Sequence, residues 1–305
     1  MISDYLPLDS SDLGEGPLWH PKLKSLFWFD INSFKMHNWN NSKLKTWVFS
    51  EPVSAAGWID EEHLMVATAS SLTKLTLATD EREVIVDLEA DMVHTRSNDG
   101  RADPWGGFWI STMGLNAEAD AGSIYRFYKG ELRQLHQNIT IPNSICFSPD
   151  QNFGYFADTR KMKIWKQKLD QSNGWPTHDP IIFVDLESQG LHPDGSVCDS
   201  EGYLWNAQYG ASRIARYSPN GQLDQVINFP VSQVTCPAFG GDSLNTIYTT
   251  KAYQNLNSEN LKVETLAGKV FYFQSEITGL AEYQVIACGD YDSKTRKLLL
   301  SRTLA

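Results

Sequence analysis

Four segments place oxygen-bearing side chains in tight, glycine- or proline-marked settings. They are Leu13-Gly14-Glu15-Gly16-Pro17-Leu18-Trp19, Arg96-Ser97-Asn98-Asp99-Gly100-Arg101, Ile141-Pro142-Asn143-Ser144 and His192-Pro193-Asp194-Gly195. Taken singly, each reads as a turn, because Asn, Asp and Gly tolerate positive φ and Pro presets its own. Taken together, Glu15, Asn98, Asn143 and Asp194 offer two carboxylates and two neutral amide oxygens. Hard divalent cations such as Ca²⁺ or Mg²⁺ select this donor chemistry, with water filling the remaining positions. Carboxylates held close together are costly without a cation, since like charges at short range cannot all stay ionised. No Cys/His group has the spacing of a structural zinc site. No Gly-x-Ser-x-Gly elbow is present, and none of the seven His residues has a recognisable partner Ser, so a Ser/His/Asp hydrolase is not expected.

These residues need strands to hold them. Helical periodicity is nearly absent, whereas short aromatic and β-branched runs bounded by Gly, Pro, Asn and Asp recur. The runs begin at Leu26, Leu64, Phe108, Tyr155, Tyr203 and Thr246, with a last copy at Lys297-Leu298-Leu299-Leu300. They are spaced by about 37–50 residues, the interval of a four-stranded propeller blade. A further strand often follows, as in Ser123-Ile124-Tyr125-Arg126 and Lys163-Ile164-Trp165-Lys166. Such a unit cannot bury its face alone and must stack on copies of itself. Seven copies make six intervals. The pattern therefore predicts an all-β chain, one six-bladed β-propeller domain over residues 1–305, with the N-terminal strand closing the last blade. Closure removes the exposed sheet edges. In such a ring the four oxygen-bearing segments, one per blade, converge on the central axis. Trp28, Trp109, Trp165 and Trp205 read as core between blades, and Trp105 and Tyr209 as candidates for a mouth.

Composition narrows the partners. The 305 residues carry 26 Lys+Arg against 37 Asp+Glu, a formal charge of −11, which repels a phosphate backbone and argues against nucleic acid. No run approaches the roughly 18 apolar residues of a membrane helix. The start, Met1-Ile2-Ser3-Asp4-Tyr5, lacks a basic and an apolar region, and Cys146, Cys198, Cys236 and Cys288 form no CxxC. Buried free thiols in a cytoplasmic protein are the expectation.

The order LGEGPLW, TRSNDGRADPWGGFWISTMG, ITIPNSICFSPD, YFADT, HPDGSVCDSEGYLWNAQYGASRIARYSPNG and TCPAFGGDSLNTIYTT resembles the gluconolactonase/regucalcin (senescence marker protein) family from about Leu13 to Thr250. The resemblance implies a six-bladed propeller with one divalent metal on its axis, Ca²⁺ first, with Mg²⁺, Mn²⁺ or Zn²⁺ also able to occupy the site. It implies Glu15, Asn143 and Asp194 as ligands, Arg96 as a substrate contact, and Asn98 as a substrate contact in or beside the metal shell. The resemblance also implies a substrate-contacting Glu four residues before the Gly that opens the next strand, which, counted back from Gly122, is Glu118. Where the family usually has Asn-Gly, this chain has Asn143-Ser144, so a local difference is expected there. Asp99 reads as a turn residue.

The expected activity is metal-assisted hydrolysis of a small-molecule sugar (aldono) lactone to the aldonic acid. A divalent ion polarises the carbonyl, Asp194 acts as general base on water, and Arg96 and Glu118 orient sugar hydroxyls. Two other readings are a metal propeller acting on phosphotriesters or aryl esters, and a non-catalytic calcium-binding or interaction propeller. Arg96 favours a polyhydroxylated or anionic ligand over an apolar ester.

Overall fold

The computed structural model of the protein describes residues 4–40 and 42–287. Within them lie six four-stranded antiparallel sheets, arranged as the blades of a β-propeller. The inner strands are Gly14–His20, Val53–Trp58, Thr95–Ala102, Pro142–Phe147, His192–Cys198 and Val234–Gly240. Each packs against the inner strand of the next blade, and the sixth packs against the first, so the ring closes. The aromatic runs form the second strands: Ser25–Asp30, His63–Thr68, Phe108–Gly114, Phe153–Asp158, Leu204–Tyr209 and Thr246–Lys251. Six runs therefore account for six blades. The seventh, at Lys297–Leu300, lies outside the described residues, as does Cys288. The short strand Asp4–Tyr5 pairs with Phe271–Gln274 as the outermost strand of blade six, joining the chain's start to its last blade.

Burial explains why these runs take second place in each blade. Such a strand is flanked by strands on both edges and by blades on both faces, so it is apolar on both sides rather than alternating. Ser25–Asp30 and Phe108–Gly114 are buried at every residue. The core divides into six clusters, one at each blade interface. Trp109, Ile124, Phe147 and Phe156 fill the gap between blades three and four, and Trp205, Phe239, Ile247 and Phe271 the gap between five and six. Trp109 and Trp205 are fully buried, each edge-on to a Phe of the next blade at 5.4 and 5.8 Å. Both are core, as their periodic placement indicates. Among the described residues the helices are Ser258–Val263 and the 3₁₀ turn Glu187–Gln189. None of these is long and apolar enough to cross a membrane. Cys146, Cys198 and Cys236 are free and buried.

One interface titrates. His136, on the outer strand Glu131–Ile139, stacks on Phe156 of blade four with ring centroids 4.4 Å apart. Burial lowers its pKa from the ordinary 6.5 to about 4. Between these values the unfolded chain binds a proton that the folded chain refuses, so stability falls as pH drops from 6.5 to about 4 and levels off below. His136→Phe keeps the stacking and removes the proton site. Urea unfolding at stepped pH is expected to show a shallower loss over this window in His136→Phe than in the unaltered protein.

Candidate active site

All six inner strands break register with their second strands at the same level. The breaks fall between Glu15 and Leu18, Val53 and Ala55, Ser97 and Gly100, Asn143 and Cys146, Pro193 and Ser196, and Val234 and Pro237. A bulge leaves residues outside the ladder, kinks the strand and re-aims side chains. Here Asn98, Asp99 and Asp194 fall within the unpaired steps, and Glu15 and Asn143 are the last paired residues before theirs, so the candidate side chains gather at one level of the ring. A one-residue change of register, rather than a surface turn, thus carries the candidate chemistry.

Hydrogen bonds join three of the four segments. The Asn98 Nδ2 donates to Asn143 Oδ1 at 3.1 Å and to the Pro142 carbonyl at 2.9 Å. Arg96 donates to Asn98 Oδ1 at 2.9 Å. Asn143 Nδ2 donates to Thr159 Oγ1 at 2.9 Å, and Thr159 Oγ1 donates to the Pro193 carbonyl at 2.7 Å. Asn143 Oδ1 thus faces inward with a lone pair left over. Ser144 adopts φ 63°, the left-handed region, which explains why glycine is the easier residue at this position. Hydrogen bonds compensate, because Ser144 Oγ donates to the Asp194 carbonyl at 2.5 Å and accepts from Ser196 Oγ at 2.9 Å. Asn206, which sequence patterning does not single out, donates to the Asp194 carbonyl at 3.1 Å and to Ser196 Oγ at 3.0 Å. Gly195 is required by contact: a Cβ there would lie 2.3 Å from Cys236 Sγ of blade six.

The electrostatics are those of crowded anions. Asn98, Asn143 and Asp194 are buried; Glu15, Arg96 and Asp99 keep some surface open to the channel. Burial, then the nearby charge of Asp99, pushes Glu15 up to about 8. Burial, then Glu15 and Asp99, pushes Asp194 well above the usual carboxylate range. Burial raises Asp99 to about 6 against the pull of the Ile145 N–H, which donates to its Oδ2 at 2.6 Å. Asp99 is therefore a channel residue tied to blade four, not a turn residue. Burial lowers Arg96 to about 10 although Glu15 and Asp194 oppose this. Deeper in the channel, Arg101 pairs with Glu282. With all six groups ionised, Glu15, Asp99, Asp194 and Glu282 outnumber Arg96 and Arg101 by two negative charges.

That excess equals the charge of one divalent cation, and the inward-facing donors are all oxygens, so the residues present fit a hard cation. Among the described residues no group of three or more His, Cys, Asp or Glu side chains has a metal-holding arrangement. The candidate set is instead two carboxylates and an amide, Glu15, Asp194 and Asn143, with Asn98 beside them.

The structure does not bring every candidate equally close. Glu118 lies on the exposed loop between Phe108–Gly114 and Gly122–Tyr128. Its carboxylate accepts from Asn116 Nδ2 at 2.9 Å, and that amide holds its pKa below the usual range. It packs over Gly114, whose strand partner is Thr95, the neighbour of Arg96. Glu118 is thus on the rim on the Arg96 side, without a direct hydrogen bond to Arg96. Tyr209 is close enough to Asp194 and Glu15 to feel both; burial first, and then these charges, raise its phenol to about 12 although a hydrogen bond from Gln254 pulls the other way. Trp105 is elsewhere, donating to the Gln171 carbonyl in the loop after Lys163–Lys168, at the other end of the blades. It is not part of the mouth. His192 Nδ1 meets the Thr159 carbonyl at 3.2 Å, a structural contact.

Residues 13–253 match the family described as SMP-30/Gluconolactonase/LRE-like region. A 6-deoxy-6-sulfogluconolactonase of Pseudomonas putida is 30% identical over 275 residues, covering 89% of this chain and 94% of that protein. An L-arabinolactonase of Azospirillum brasilense is 31% identical over 277 residues, covering 88% and 90%. The crystal structure of the calcium-binding protein regucalcin from Agrobacterium tumefaciens str. C58 superposes with a TM-score of 0.89 at 35% identity, covering 91% of this chain and 95% of that one. Six blades, a bulged ring of inner strands and a family match over most of the length agree: the chain belongs to the SMP-30/gluconolactonase/LRE-like family.

Proposed function

We propose that the protein is a lactonase that opens a sugar lactone to its aldonic acid, using one divalent cation held by Glu15, Asn143 and Asp194. The observation that carries this reading is the grouping of buried Asp194 and Asn143 with the partly exposed Glu15 and Arg96, at matching register breaks around one channel, where Glu15, Asp194 and Arg96 feel one another's charge. The lactonase relatives support the reaction class.

The cation, when bound, supplies Lewis-acid polarisation of the lactone carbonyl, an effect of several kcal/mol on developing negative charge. The chain supplies the rest. Asp194 has two carboxylate oxygens, one for the ion and one to take a proton from the attacking water. Arg96, anchored on Asn98 Oδ1, presents its remaining donors to sugar oxygens and fixes orientation. Glu118 accepts from ring hydroxyls at the rim. Tyr209 offers an aromatic face and a hydroxyl near Asp194.

Acid release is the direct assay. Protein stripped with a chelator and refilled with single metals is expected to acidify solutions of aldonolactones faster than their spontaneous hydrolysis. Phosphotriesters and aryl esters serve as comparison substrates. Turnover confined to them would replace the lactone reading with an esterase one. Metal binding without turnover of any substrate would make the propeller a binding protein.

A further inference from the structure

We infer that Arg101 and Glu282 are positioning residues for the metal centre, a clamp at the closed end of the channel that sets the spacing of the three inner strands carrying Asn98, Asn143 and Asp194. The inference rests on the metal reading proposed above.

Arg101 belongs to the inner strand of blade three, two residues beyond Asp99. Its Nε donates to the Ile145 carbonyl of blade four at 3.2 Å. One terminal nitrogen donates to the Ser196 carbonyl of blade five at 3.3 Å. The other meets the Glu282 carboxylate. Each accepting carbonyl is two residues from a candidate ligand: Ile145 from Asn143, Ser196 from Asp194. One planar guanidinium thus ties together the three strands whose relative position determines the ligand distances. Its fork geometry is what makes this possible, because Lys presents a single point charge.

Glu282 is held in turn. It comes from a strap that crosses the end of the propeller after the last blade. Ser200 N donates to the Thr278 carbonyl and Gly279 N to the Leu244 carbonyl, fixing one end to blades five and six. Trp58 Nε1 donates to the Glu282 carbonyl at 2.8 Å, and Val285 N donates back to the Trp58 carbonyl at 2.8 Å, fixing the other to blade two. Ile286 N donates to the Gly106 carbonyl of blade three. The Arg101 and Glu282 side chains are only 11% and 7% exposed. A small cavity lined by Gly16, Asp99, Arg101, Cys236 and Glu282 joins this pair to the ligand level. Residues that orient metal ligands without touching the metal typically contribute 10–100-fold to metal affinity.

The experiment is calorimetric titration of Ca²⁺, and separately Mn²⁺, into metal-stripped protein. The variants are Arg101→Lys, which keeps the charge and loses the fork, and Glu282→Gln, which keeps the shape and loses the pair. Glu15→Ala, which removes the ligand oxygens, serves as the ligand control. In Glu282→Gln the guanidinium retains both backbone acceptors, so the fold survives; circular dichroism checks it. The clamp predicts Kd weakened about 10–100-fold in Arg101→Lys, and by at least threefold in Glu282→Gln, with folded spectra. Folded variants that bind metal as tightly as the unaltered protein overturn the clamp, even where their melting points fall, because a merely stabilising pair lowers Tm without changing Kd. If either variant fails to fold, Trp58→Phe takes its place, since it frees one anchor of the strap without touching the channel; unchanged affinity there overturns the clamp too. An unaltered protein that binds no divalent ion, or binds it as well with Glu15→Ala, removes the metal reading and the clamp with it.

Discussion

Asp194→Asn is expected to lower lactone turnover by about 10²–10⁴-fold, the usual share of a general base, while the protein still binds a divalent ion. The amide keeps one ligating oxygen and loses the second, proton-accepting one. Asp194→Ala removes both and is expected to lose metal and turnover together. The backbone is not the cause, since the Asp194 carbonyl stays fixed by Ser144 and Asn206 in either variant. The pair of variants separates the two roles proposed for one side chain. Steady-state acid release and calorimetric metal titration on both proteins decide it. Turnover of Asp194→Asn within a few-fold of the unaltered enzyme would assign the base elsewhere, with Asp99, a channel carboxylate outside the proposed ligand set, the next candidate.

Removing the divalent ion is expected to abolish turnover and to lower the thermal midpoint. Fully ionised, four carboxylates and two guanidiniums carry two excess negative charges in the channel, which a divalent ion offsets. Without it they are relieved by protonating Glu15 and Asp194, the carboxyls that burial raises. A ligand bound only by the folded state stabilises by about 2.7 kcal/mol at 100 times its Kd. For a chain of this size that corresponds to a rise of several degrees, reached at saturating metal and lost with chelator. Differential scanning fluorimetry across a metal series gives the midpoint, and readdition of metal is expected to restore it together with activity. A midpoint indifferent to metal would mean that protons, not a cation, neutralise Glu15 and Asp194.

The blades were legible because second strands are flanked on every side, so their aromatic and β-branched runs stand out from the turns around them. Trp109 and Trp205 are the clearest cases, fully buried between blades as their spacing indicates. Counting seven runs obscured the rule that one run marks one blade. The oxygen-bearing residues were legible as types, but not as geometry. Asn98 and Asp194 read as turn residues because a bulge inside a strand uses the same Asn, Asp and Gly that a turn uses. Only register shows that the chain continues as a strand on both sides of each break. Trp105 is ambiguous in sequence for a related reason: its Gly- and Pro-rich surroundings mark a loop without saying at which end of the blade it lies. Arg101 and Glu282 are 181 residues apart in the chain, and nothing local in either segment points to the other. Asn206 is buried inside a second strand, where its contact with Asp194 depends on two strands lying side by side.

If one divalent ion on the channel axis makes this propeller a lactonase, bound metal and turnover must rise together. Both are measured on the same stripped protein as one metal is added back. Turnover is expected to rise in proportion to occupancy and to saturate at one ion per chain, with both curves flat in Asp194→Ala. Stripped protein that hydrolyses lactone as fast as the loaded protein would contradict this.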